Sequence, residues 1–313
     1  MLGSMKGESW MVEILFEADE RTMENLMEGP WVIIQEKSYG PSRRIALFNK
    51  SGFEKYSQLI DTYACDGFSI APEDVVQGEL KAHFSPDFGK VKKRDAIVEI
   101  GIQGEGAFAG DFDYDVFKTF KNVKALTTQG VSFGPVLPML FPKLEAWENL
   151  AWKSNTLHSL NGSWARLSRL SIHGLSGSLD VFDDRPIRKL FLIASTIKNI
   201  AVIAHYKSLE VLQFVSCRIA GDVSSLSQLA TLRSVRFEGK NKLEGWDGLR
   251  SETLRNFWAT HLPCEFLEKN FPNIENTVVN TYRSKDPFRK IGGEDRRGVR
   301  QHIHRMIRCL TLS

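Results

Sequence analysis

The second half of the chain repeats itself, and that repeat limits the folds open to it. In LEVLQFVSCRI, Leu209, Leu212, Phe214, Cys217 and Ile219 stand at positions 1, 4, 6, 9 and 11. IRKLFLIASTI repeats the spacing with Ile187, Leu190, Leu192, Ser195 and Ile197, and WENLAWKSNTL with Trp147, Leu150, Trp152, Asn155 and Leu157. Shorter copies run through Leu167, Leu170 and Ile172, then Leu232, Val235 and Phe237, then Leu254, Phe257 and Ala259. Weaker copies start at Val123 and Ile274. The fourth position falls at 126, 150, 170, 190, 212, 235, 257 and 277, in steps of 20 to 24 residues. A unit that short cannot bury its own apolar face, so neighbouring units must stack and share a core. Positions 4 and 6 are two apart and point to one face of a short strand. An amphipathic helix would instead show apolar residues at i, i+3, i+4 and i+7.

The pattern resembles the leucine-rich repeat, L-x-x-L-x-L-x-x-N/C-x-L, in an irregular, bacterial-type form. The resemblance covers residues 116–283 in about eight copies. It implies an α/β fold class: a solenoid with a parallel concave β-sheet, preceded by a small α/β N-terminal domain and closed by a C-terminal helical cap. In that family the ninth position takes Asn or Cys, whose side chain satisfies backbone groups at the turn. Asn155, Ser195 and Cys217 fit; Leu175, Lys240, Leu262 and Tyr282 do not. Cys217 is therefore expected to be buried, reduced and unreactive.

The flanks read differently. Met1–Ser4 looks like a cloning scar. Residues 5–115 read as the α/β domain or N-terminal cap, with strands at WMVEILFEA and WVIIQEK and a helix at DERTMENLM between them. A second helix is expected at SGFEKYSQLIDTYA, with Ser51 as its cap. Ile97, Ile100 and Ile102 read either as part of that domain or as a degenerate first repeat. Residues 284–313 are basic, with Val299, Ile303, Met306 and Leu310 at helical spacing. They read as a helix laid over the last repeat, or as a basic tail.

Composition narrows the function. A net charge of +3 over 313 residues gives no reason to expect nucleic acid or a membrane surface as a partner. The four cysteines form no CxxC pair, which suits a reducing cytoplasm. Catalytic and metal signals are weak. GIQGEGAFAG lacks a P-loop lysine; Asp111, Asp113 and Asp115 lack the rest of a calcium loop; His302 and His304 lack further ligands. The expectation is a non-enzymatic protein without cofactor or small-molecule substrate.

Positions 3, 5 and 7 of each strand should face outward. On that face Phe191, Ile193, Val211 and Val215 form an apolar centre, with Gln213 among them and Trp258 two strands on. Lys153, Arg169, His173, Lys189 and Arg236 surround them. An apolar centre inside a charged rim is how protein interfaces are built. The expected partner is a protein with an acidic surface. The expected role is a toxin-neutralising immunity protein or inhibitor, or else a host-directed effector or adaptor. The alternative of another class is an enzyme with its site in the N-terminal domain and the repeats as substrate recruiter.

Overall fold

The computed structural model describes residues 3–7, 10–16, 31–37, 40–70, 86–103, 114–129, 137–149, 165–175, 186–260 and 268–280. The strands are β1 (Gly3–Gly7), β2 (Trp10–Phe16), β3 (Trp31–Glu36), β4 (Arg44–Phe48), β5 (Gly67–Ile70), β6 (Glu99–Gln103), β7 (Ala125–Gln129) and β8 (Ala146–Asn149). They continue as β9 (Arg169–His173), β10 (Lys189–Ile193), β11 (Thr196–Ile197), β12 (Val211–Asp222), β13 (Ser234–Glu244), β14 (Asn256–Thr260) and β15 (Asn276–Asn280). All belong to one sheet and follow one another in chain order, except that β11 pairs with the far end of β12. β1 to β4 are antiparallel. From the β4–β5 pairing onward the ladder is parallel.

The parallel register thus starts at Arg44, and the sheet crosses the boundary drawn in the sequence at residues 115 and 116 without a break. Ile100 and Ile102 of β6 pair with Leu126 and Thr128 of β7, so the Ile97 segment sits in the repeat register. One strand earlier, Cys65, Phe68 and Ile70 take the same three positions and are buried. Gly3 and Ser4, set apart in the sequence as a scar, lie in β1. The expected helix after Ser51 is split into α1 (Lys50–Tyr56) and α2 (Leu59–Thr62). Its cap is Asn49, whose side-chain oxygen accepts from the Gly52 N–H at 2.8 Å. The helix expected at DERTMENLM and the C-terminal segment after Asn280 lie outside the described residues.

Stacking produces one continuous core. Position 1 supplies Val123, Leu144, Leu167, Ile187, Leu209, Leu232 and Leu254, all buried. The returning segments are short 3₁₀ turns, and they close the core from the far side. Ile200–His205 buries Ile200 and Ile203; Val223–Gln228 buries Val223 and Leu226. Each is capped from the preceding residue: Asn199 accepts from the Ala201 N–H at 3.0 Å, and Asp222 from the Ser224 N–H at 2.8 Å. That hydrogen bonding to Ser224 also holds the Asp222 carboxyl below its ordinary pKa.

Phenylalanines thicken the core at two places. Phe53, Phe68, Phe88, Phe117 and Phe120 pack ring against ring in the N-terminal half, with Phe88 and Phe117 centroids 5.0 Å apart. Phe214 stacks on Phe237 at 5.5 Å, and Phe257 and Phe271 continue that column. Such rings bury more area per residue than leucine.

One copy of the repeat is out of step with its sequence reading. Trp147, not Leu150, takes the fourth position, because it pairs with Leu126 on one side and Leu170 on the other. It is 4% exposed, and its indole N–H donates to Thr128 Oγ1 at 3.1 Å. Leu144 then fills position 1. The segment reads ambiguously because Trp147, Leu150 and Trp152 imitate positions 1, 4 and 6 when shifted by three. The neighbouring strands set the true register.

A sharp corner follows each central strand. Gly174 (φ +73°), Ala194 (φ +49°) and Ser216 (φ +55°) occupy the eighth position of consecutive repeats, all left-handed. Glycine adopts that conformation without steric cost, whereas Ala194 and Ser216 bear a cost of about 1–2 kcal/mol each. β13 is one residue shorter here. The register slips between Phe214 and Cys217, so Gly239, not Lys240, stands opposite Cys217. A Cβ on Gly239 would lie 2.3 Å from the Cys217 carbonyl oxygen, so only glycine fits.

Candidate functional site: the outward face of the sheet

Beneath the corner lies a ladder that fixes the outward face in place. Ser195 Oγ accepts from the Leu175 N–H at 3.0 Å and donates to the Ile193 carbonyl at 2.8 Å. One repeat on, Cys217 Sγ accepts from the Ser195 N–H at 3.5 Å and lies 3.3 Å from the Val215 carbonyl. The ninth position therefore does the work expected of it from the sequence. Cys217 is fully buried, and burial pushes its thiol up to about 11. It holds the turn and is no nucleophile. Asn155 lies outside the described residues.

The ladder is a property of the repeat, and so is the parallel sheet it terminates. The fold is a leucine-rich-repeat solenoid. No family model matches the sequence, and no curated protein matches it. Among solved structures the chain is similar to internalin C2 of Listeria monocytogenes, with 16% identity over 57% of this chain and 70% of that one and a TM-score of 0.35. It is also similar to an internalin (inlF) of the same bacterium, with 11% identity over 69% of this chain and 67% of that one and a TM-score of 0.41.

Register assigns the outward residues directly. The middle row runs Thr127, Glu148, Ser171, Phe191, Gln213, Arg236, Trp258 and Val278 on successive strands. The row beside it runs Ala125, Ala146, Arg169, Lys189, Val211, Ser234, Asn256 and Asn276. The third row holds His173, Ile193 and Val215. With the register of β8 corrected, Glu148 takes the outward place assigned to Ala151 and Asn149 turns inward, 9% exposed. Lys153 lies outside the described residues. The Glu148 carboxylate lies 3.5 Å from His173 Nε2.

The apolar centre also changes. Phe191 is in the outward row but only 6% exposed, so it is not an open contact. The Arg169 guanidinium lies 5.2 Å from its ring centroid and covers it. Ile193, Val211, Gln213 and Val215 are half-buried. The exposed apolar side chains of this face are Trp258, at 37%, and Val278, at 39%, on adjacent strands. Val278 belongs to the same outward row as Trp258; its neighbour Thr277, at the normally buried fourth position, is exposed as well. Arg236 lies over Trp258 at 5.2 Å and donates to Glu238 at 2.5 Å. Its side chain is only 12% exposed, and its Nε is buried without a partner, as is Gln213 Oε1.

Charge along the edge of the face is mostly cancelled. The second position of successive repeats pairs Lys124 with Glu145 at 3.5 Å, Arg188 with Glu210 and Arg255 with Glu275 at 3.7 Å. Sequence reading weighed the cations here more heavily than their partners. It missed Glu145 and Glu148, which the corrected register of β8 places beside these cations, and Glu275, whose register was read correctly but whose pairing with Arg255 was not considered. Arg169, Lys189 and Arg233 have no carboxylate partner among the described residues.

No group of three or more His, Cys, Asp or Glu among the described residues is placed to hold a metal ion. The His302–His304 pair, Asp111, Asp113 and the glycines at 104, 106 and 110 lie outside those residues. Asp115 is exposed and pairs with Lys118 at 2.8 Å. No helix of the described residues is long and apolar enough to cross a membrane.

Proposed function

We propose that the protein is a non-enzymatic binding module that grips another protein through the outward, concave face of its sheet. The observation that carries this reading is the Trp258–Val278 step. Two large apolar side chains stand more than a third exposed on neighbouring strands, with Arg236 braced over the indole. Trp and Arg are the residue types that dominate interface energetics, and a ring already ordered by a stacked guanidinium loses little freedom on binding. Ile193, Val211, Gln213 and Val215 continue the surface as a half-buried floor over the buried Phe191, and His173 borders it. The unpaired cations Arg169, Lys189 and Arg233 favour an acidic partner surface.

Within this reading, an inhibitor or toxin-neutralising immunity protein working in the cytoplasm is the form we favour. Its buried, free thiols at Cys65 and Cys217 suit a reducing compartment. The test is site-directed photo-crosslinking in the native host. A benzophenone side chain at position 258 should trap one protein, whereas the same group at exposed Ser208, on the returning segment, should not. Trp258→Ser should then weaken the purified complex by about 2 kcal/mol, a typical hot-spot loss. Equal trapping from both positions, or an unchanged Kd for Trp258→Ser, refutes the concave-face reading.

A further inference from the structure

At the second position three neighbouring pairs are of opposite charge and are joined, Lys124 with Glu145, Arg188 with Glu210 and Arg255 with Glu275, although Arg233 stands beside Arg255. One residue further along, the strands carry a like-charged pair. Arg169 and Lys189 are register partners on β9 and β10, directly opposite one another. Both are cations, and neither has a carboxylate partner among the described residues. Like charges directly opposite across a strand pair repel and destabilise. Of the nearby carboxylates of the face, Glu210 pairs with Arg188, and Glu148 lies 3.5 Å from His173 Nε2.

Arg169 is also braced. Its guanidinium lies over the buried Phe191 ring at 5.2 Å, and its N–H groups have no acceptor among the described residues. Lys189 beside it is exposed. A planar, oriented fork next to a second cation is the arrangement that accepts a carboxylate through two parallel N–H···O bonds plus a point charge.

Resting on the concave-face reading above, we propose that Arg169 and Lys189 form a carboxylate anchor that receives an Asp or Glu side chain of the partner protein. The repulsion between the two cations is relieved when that carboxylate arrives. The Trp258–Val278 step starts four strands along the sheet from Arg169 and supplies the apolar half of the same footprint.

The probe is a capped hexaglutamyl peptide, with the capped hexaglutaminyl peptide and sodium acetate as comparisons. Titration is followed by the NMR signals of the Arg169 Nε–H and of the Lys189 Nζ group. Saturable shifts with the glutamyl peptide, and none with the glutaminyl one, are expected. Acetate at equal carboxylate concentration should act far more weakly. Arg169→Met with Lys189→Met keeps an apolar cover on Phe191 and should weaken the glutamyl peptide about tenfold, as expected for loss of charge-assisted bonds. Lys198→Met with Arg218→Met, both exposed and outside the outward rows, removes as much charge elsewhere and should leave that affinity nearly unchanged. Equal loss in both double variants, or equal response to the glutaminyl peptide, overturns the anchor. The Trp258 crosslink then still tests the concave face independently. Because the pair repels, the Met variants should melt no lower than the parent; a large drop in Tm would assign Arg169 a structural role instead.

Discussion

Gly239 offers a test in which conformation and contact can be separated. Its φ of +126° is one that L side chains rarely adopt, and an added Cβ would lie 2.3 Å from the Cys217 carbonyl oxygen and 2.8 Å from its nitrogen. Both atoms are backbone, so neither can rotate away. Gly174, at the corner three repeats earlier, has φ +73°, and a methyl group added there would meet nothing within 4 Å. Gly174→Ala should cost only the left-handed conformation, about 1–2 kcal/mol. Ala194 and Ser216 already bear that cost at the equivalent corners. Gly239→Ala carries a similar conformational cost and must also push β12 and β13 apart where their second ladder begins. Losing one buried backbone hydrogen bond there adds about 1–3 kcal/mol, for an expected total of about 3–5 kcal/mol. Urea denaturation of the two variants, followed by far-UV circular dichroism, gives the difference directly. Equal destabilisation by both would show that the close approach to Cys217 is not real.

Other consequences can be checked independently. Cys217→Ala removes the acceptor for the Ser195 N–H and should cost about 1–3 kcal/mol, with Cys217→Ser recovering part of it in the same urea assay. The thiols of Cys65 and Cys217, pushed up to about 12 and about 11 by burial, ionise above their ordinary value of 9.0. Stability should therefore be intact below pH 9 and fall above it as the unfolded thiols ionise first; a Cys65→Ala, Cys217→Ala variant should flatten that fall. Lys37→Met strands the Glu99 carboxylate, whose side chain is 13% exposed, with Ser42 as its remaining hydrogen-bond donor. It should cost roughly 3 kcal/mol in thermal unfolding, and Lys37→Met with Glu99→Gln should cost less.

The repeat was legible because its information is local. Positions 1, 4 and 6 of LEVLQF or LRSVRF state their own strand face, and Cys217 states its own turn. What was hidden depends on neighbours. WENLAW offers two registers three residues apart, and only pairing with Leu126 and Leu170 selects Trp147. The early strands were obscured because their spacing widens: Phe68, Ile100 and Leu126 share a row but stand 32 and 26 residues apart. The exposure of the outward face was least legible. Phe191 has no sequence mark that Arg169 will cover it, and the cation columns are meaningful only once Glu145, Glu148 and Glu275 are placed beside them.

The order of the sheet has a consequence for how the protein is made. Apart from the short β11, each strand pairs with the strands immediately before and after it in the chain. No described strand waits for a distant one before it can pair. A ribosome releasing the chain from its N-terminus hands over each coil after the surface that receives it, so the molecule can be laid down vectorially, one coil on the last. The step at Trp258 and Val278 is then among the last described parts to be completed, after the coils from β4 to β13 are in place.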